Sequence, residues 1–133
     1  MSSEPAEATD AEIAYAEPGD LARVREFVRV RAVELGLPEH RAELLTLAVS
    51  ELATNTLQHT AGGGVVRLHA VDGRVVCDVT DGGSIRPLGR PMPAADALRG
   101  RGLAIVERIC DDVRVDPAGD GTRVRLTLDL DQP

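Results

Sequence analysis

Glu51, Asn55 and His59 recur at four-residue spacing near the middle of the chain, with Leu47 one turn before them. They lie in EHRAELLTLAVSELATNTLQHT, residues 39–60, a segment containing neither Gly nor Pro. Residues four apart on an α-helix stack along one ridge. The spacing sets this ridge beside an apolar face of Leu44, Leu45, Ala48, Val49 and Leu52. A carboxylate and a carboxamide one turn apart, bordering apolar surface, offer oxygen ligands to a hard cation. The same residues also suit an ordinary solvated helix face.

Three glycine-bearing segments follow. Asp81-Gly82-Gly83 closes a β-branched run. An Asp there can accept a hydrogen bond from an exocyclic amine, while Gly83 lets the backbone approach a flat ring. Gly100-Arg101-Gly102-Leu103 opens a helical pattern, where free backbone N–H groups and the helix dipole favour an anion. Gly119-Asp120-Gly121-Thr122 precedes the last apolar run and also suits a tight hairpin turn. Each segment alone fits a plain turn or cap; their order carries the information.

The elements that must position these residues follow from periodicity. Residues 1–11 form an acidic leader, and Ile13–Ala16 suits a short edge strand. Asp20 is placed to cap LARVREFVRVRAVEL, where Leu21, Val24, Phe27, Val28 and Leu35 recur at helical spacing. Gly36 and Pro38 stop that helix. The runs 65–71 and 74–81 flank Asp72-Gly73, a type I′ hairpin signal. Residues 82–99 lose all periodicity, and an irregular segment of that length reads as a functional lid or as disordered chain. A short helix from Leu103 and two more strands, 112–116 and 122–130, complete the chain. Helices and antiparallel hairpins segregate, which predicts a two-layer α+β sandwich: helices on one face of a mixed, mostly antiparallel sheet, as a single domain over 12–131.

Composition excludes several functions. A net charge of −7, with one Phe, one Tyr and no Trp, argues against direct nucleic-acid binding by electrostatics or base stacking. No apolar run approaches the roughly 20 residues that cross a bilayer, and the acidic N-terminus lacks the features of a signal peptide. Cys77 and Cys110 sit in separate apolar runs without metal-ligand spacing, so they are expected to be buried thiols in a reducing, cytoplasmic setting.

Taken in order, SELATNTLQH, VTDGG, GRGLAIVERICD and GDGTRVRLTL resemble the N box and the three glycine boxes of the ATP-binding domain shared by gyrase B, histidine kinases and MutL, the Bergerat fold. The resemblance covers about residues 12–130 and is strongest to the short bacterial anti-sigma factor serine kinases. No phosphoacceptor helix pair precedes the domain, unlike a full histidine kinase.

The resemblance implies that the chain binds ATP and Mg²⁺. Asn55 would ligate the metal, and Glu51 would act as the catalytic base toward a serine hydroxyl. Asp81 would accept from the adenine amine, with Gly83 leaving room for the ring. Gly100, Gly102 and Leu103 of the second glycine box would meet the nucleotide, the glycines through backbone N–H groups at the phosphates. Thr122 would support the adenine end, and His59 would cap or brace the helix. Gln58 stands where many relatives carry Arg or Lys, a charge that Arg86, Arg90, Arg99 or Arg101 would have to replace. The implied protein is an anti-sigma factor with serine/threonine kinase activity. Its implied partners are a sigma factor and an anti-anti-sigma protein, and it would form a homodimer. The alternative is a non-catalytic module whose lid responds to ATP; a scaffold that no longer holds nucleotide is a third reading.

Overall fold

The apolar periodicities resolve into two long helices laid on one face of a five-stranded sheet. The computed structural model describes residues 11–59, 62–81, 103–119 and 121–130. Its strands are β1 (Ala11–Tyr15), β2 (Gly64–Val71), β3 (Arg74–Asp81), β4 (Asp112–Ala118) and β5 (Gly121–Asp129), and its helices are α1 (Leu21–Glu34), α2 (Glu39–His59) and α3 (Leu103–Ile109). Sheet order is β1-β2-β3-β5-β4. Every described pairing is antiparallel, which narrows the expected mixed, mostly antiparallel sheet. The strand expected at Ile13–Ala16 starts at Ala11, the last residue assigned to the leader.

Alternate strand residues face opposite ways. Val66 and Leu68 on β2, Val75, Cys77 and Val79 on β3, and Val124, Leu126 and Leu128 on β5 share the inner face. They pack with Val24, Val28 and Ala32 of α1 and Leu45, Val49 and Leu52 of α2. The inner face is therefore continuous across three central strands. Aliphatic side chains fill it, as a chain with so few aromatic residues requires.

The outer face is charged and cross-linked by register. Glu12, Arg67, Asp78, Arg125 and Arg114 fall in one row across all five strands. Arg67 donates to Glu12 at 2.7 Å, and Arg125 forks onto Asp78 at 2.7 and 2.9 Å. That pairing explains how Asp78 can be only 7% exposed on a strand face that carries no helix among the described residues.

Local chemistry sets the helix ends. Gly36, at φ +117°, places α1 in a Schellman stop: its N–H donates to the Val33 carbonyl, and the Leu37 N–H donates to that of Ala32. Asp72 and Gly73 both adopt positive φ, as a type I′ turn requires.

Two expectations are corrected. Asp20 does not cap α1. Pro18-Gly19-Asp20 forms a 3₁₀ turn that runs straight into the helix, so Asp20 already has helical backbone angles. Its carboxylate instead accepts the N–H groups of Ala16 and Glu17 at 2.8 and 3.0 Å and pairs with Arg23. Those donors hold its carboxyl below the ordinary value. Leu44 does not join the core either and is 42% exposed. The buried stripe of α2 runs through Ala42, Leu45, Thr46, Val49, Leu52 and Ala53, and a helical step of about 100° turns Leu44 off it.

Both cysteines are buried and unpaired with each other, as expected. Burial drives the Cys110 thiol up to about 12 and the Cys77 thiol well above its ordinary value. No helix among the described residues is long and apolar enough to cross a membrane.

Candidate functional site

α2, β1 and β3 come together near one end of the sheet through Thr56, Tyr15 and Asp81. Asn55 lies in the second half of α2 and is 8% exposed, while Glu51, one helical turn earlier, is half-buried. The turn separates them by roughly 5–6 Å along the ridge. A buried carboxamide beside apolar side chains persists only with polar company. Glu51 next to it is not fully enclosed.

The sheet contributes the facing side. Tyr15 on β1 stands opposite Gly64 on β2, and Gly64 stands opposite Asp81 on β3. Asp81 shares the parity of Val75, Cys77 and Val79, so it faces the helices at the last step of the strand. The same parity on β5 turns Thr122 inward with Val124 and Leu126. The Thr122 N–H donates to Asp81 Oδ1 at 3.1 Å, tying the ends of two neighbouring strands and fixing the carboxylate. One Asp81 oxygen is thus engaged by backbone, and a carboxylate has acceptor sites for several donors.

Thr56, the neighbour of Asn55 on α2, reaches the same place. The Tyr15 hydroxyl is close enough to feel both the Thr56 hydroxyl and the Asp81 carboxylate. Burial first, and the charge of Asp81 after it, push the Tyr15 phenol up to about 12, with Thr56 acting against them. Tyr15 is therefore a neutral hydroxyl donor throughout the physiological range.

Of the residues singled out in the sequence, Asn55, Asp81 and Thr122 are described at this end of the fold, with Glu51 one turn from Asn55. His59 is the last residue of α2, and Leu103 is the first of α3. Gly83, Gly100, Gly102, the lid at 82–99 and the arginines at 86, 90, 99 and 101 lie outside the described residues. Among the described residues, no group of three or more His, Cys, Asp or Glu side chains gathers to hold a metal ion. Tyr15, Thr56 and Gly64 were missed in the sequence. The signals that could have found them are the single tyrosine of the chain and the Gly62-Gly63-Gly64 run at the start of β2.

An antiparallel sheet with helices on one face, a carboxylate at the end of a central strand and a polar ridge on the facing helix define a two-layer α+β domain of ATPase type. The chain belongs to the histidine kinase-like ATPase domain family, whose model matches residues 14–128. No curated protein sequence matches it. Among solved structures, that of the RsbU and RsbW domains of Rv1364c from Mycobacterium tuberculosis superposes with a TM-score of 0.71 at 24% identity. The match covers 93% of this chain and 33% of that one, so this chain spans about one third of that protein's length. The Acinetobacter baumannii histidine kinase AdeS superposes with a TM-score of 0.51 at 14% identity, over 92% of this chain and 68% of that one. At these identities both likenesses concern the fold.

Proposed function

We propose that this domain is an ATP-dependent serine kinase that phosphorylates a small anti-anti-sigma protein and acts as an anti-sigma factor, sequestering a sigma factor, with a homodimer as the working form. The observations that carry the reading are a half-buried Glu51 one turn from a buried Asn55 on α2, and an Asp81 at the end of β3 oriented by the Thr122 N–H. Asp81 accepts from the base amine, and Thr122 braces it. Asn55 would hold Mg²⁺ by its amide oxygen, and the metal would supply charge neutralisation at the phosphates. Glu51 takes the proton from the substrate serine as that oxygen bonds to the γ-phosphorus and ADP departs. Gly83, Gly100, Gly102 and Leu103 belong to the same proposed nucleotide site. The likeness of the fold to a chain carrying an RsbW domain is in keeping with a regulatory role of this kind.

The test is transfer of phosphate from ATP to serine on a purified anti-anti-sigma protein, read by mass spectrometry. Glu51→Gln should keep nucleotide affinity and lose transfer by a factor on the order of 10²–10⁴, the usual contribution of a positioned base. Transfer by Glu51→Gln at the wild-type rate would remove Glu51 from the mechanism. Binding without transfer by the wild type would instead establish the non-catalytic, ATP-responsive module.

A further inference from the structure

Tyr15 is the only tyrosine in the chain, is 3% exposed and belongs to an edge strand, an unusual seat for a fully enclosed phenol. Its position follows from what stands opposite. A Cβ at Gly64 would lie 2.8 Å from Tyr15 Oη and 3.0 Å from Cζ, and it would also strike the Thr80 carbonyl. The ring therefore lies across the bare backbone of Gly64, as aromatic side chains cover cross-strand glycines. Crossing β2 in this way brings the hydroxyl of an edge residue to the level of Asp81 on β3.

Covering Gly64 explains the ring, and a phenylalanine would do it equally well. It does not explain the hydroxyl. Among the described residues Tyr15 Oη is buried and makes no hydrogen bond of full geometry; the Thr56 hydroxyl approaches it closely enough to lower the phenol's pKa, and the Asp81 carboxylate closely enough to raise it. A buried donor without a partner costs free energy, and a site retains one when a ligand or a ligand-bound rearrangement uses it.

We propose that Tyr15 is a positioning residue for purine recognition: its hydroxyl donates to the Asp81 carboxylate when a base is bound, so that this carboxylate is held to accept from an exocyclic amine. The inference rests on the nucleotide site proposed above. Asp81 is then fixed from two sides, by the Thr122 N–H on β5 and by Tyr15 from β1. A carboxylate held this way discriminates by chemistry. A 6-amino purine donates to it, whereas a 6-oxo purine turns an acceptor toward it and gains nothing from the alignment. Because the phenol stays protonated up to about 12, the donor is present at every pH where the protein would work.

The experiment is calorimetric titration of wild type and Tyr15→Phe with ATP and with inosine triphosphate, alongside the Tm of each protein without nucleotide. The wild type should prefer ATP. Tyr15→Phe should bind ATP about tenfold more weakly, the scale of one hydrogen bond to a charged group, and inosine triphosphate unchanged. The ratio of the two affinities does not depend on how much of the variant is folded, so a purely structural role leaves it where it was. An unchanged ratio, with ATP affinity either intact or weakened in parallel with that for inosine triphosphate, overturns the proposal while leaving the nucleotide site standing. Absence of ATP binding by the wild type overturns the nucleotide site itself, and this inference with it.

Discussion

Arg41 ties α2 to β5 and to the connection between α3 and β4, and its removal tests how the helical layer is held to the sheet. From the first turn of α2 its Nη1 donates to the Asp129 carbonyl at 2.6 Å, and its Nη2 donates to Asp111 Oδ2 at 3.1 Å. The same Asp111 oxygen accepts the Asp129 N–H at 2.8 Å. The two side chains are only 14% and 31% exposed. A hydrogen bond to a charged group contributes about 1.5–3 kcal/mol. Asp111 keeps some solvent and its backbone donor, so Arg41→Ala should cost about 2 kcal/mol. For 133 residues, an unfolding entropy of about 2.1 cal/mol/K per residue makes that a fall of about 7 °C in Tm. Arg114→Ala is the control, because its pair with Asp112 is 71% and 53% exposed and such pairs are worth under about 1 kcal/mol. Thermal unfolding followed by far-UV circular dichroism should separate the two variants by several degrees. If Arg41→Ala melts within a degree of Arg114→Ala, the clasp contributes nothing and the reasoning from its burial is wrong.

Leu126, fully buried on β5 opposite Cys77, should cost about 2–5 kcal/mol as Leu126→Ala, read as a lowered urea midpoint with an unchanged slope. Alkali should destabilise the fold through Tyr15. Its folded pKa of about 12 exceeds the ordinary 10.0, so the unfolded chain releases the proton first as pH rises. The stabilisation is complete below pH 10 and is lost between 10 and 12, roughly 3 kcal/mol in all, and Cys110 adds a loss of the same sign from about pH 9. Urea unfolding at pH 8 and pH 11 should show a smaller decline for Tyr15→Phe than for wild type; equal declines would place the loss elsewhere.

Local signals carried much of this fold, and non-local ones the rest. The Asp72-Gly73 hairpin, the stop at Gly36 and the inward set Val75, Cys77 and Val79 each depend on residues a few positions apart, where turn chemistry and period-two alternation leave little freedom. The insertion of β5 between β3 and β4 depends on pairing across the segment 82–102, about which no local pattern speaks. Asp20 failed as a cap because Pro18-Gly19 started a tighter turn before it. The burial of Asp78 was hidden because its partner Arg125 is 47 residues away. At the candidate site the helical spacing of Glu51 and Asn55 was legible, while most of the glycine segments lie outside the described residues. Tyr15 was not legible, since its role comes from facing a glycine on a strand that begins 49 residues later.

The central claim is that Glu51, Asn55, Asp81 and Thr122 frame a site for Mg-ATP. Titration calorimetry with ATP, with and without Mg²⁺, on the wild type and on Asn55→Ala tests it most directly. The account predicts wild-type binding that strengthens with Mg²⁺, and an Asn55→Ala variant that loses the Mg²⁺-dependent part. A wild type that binds no ATP in either condition would contradict it.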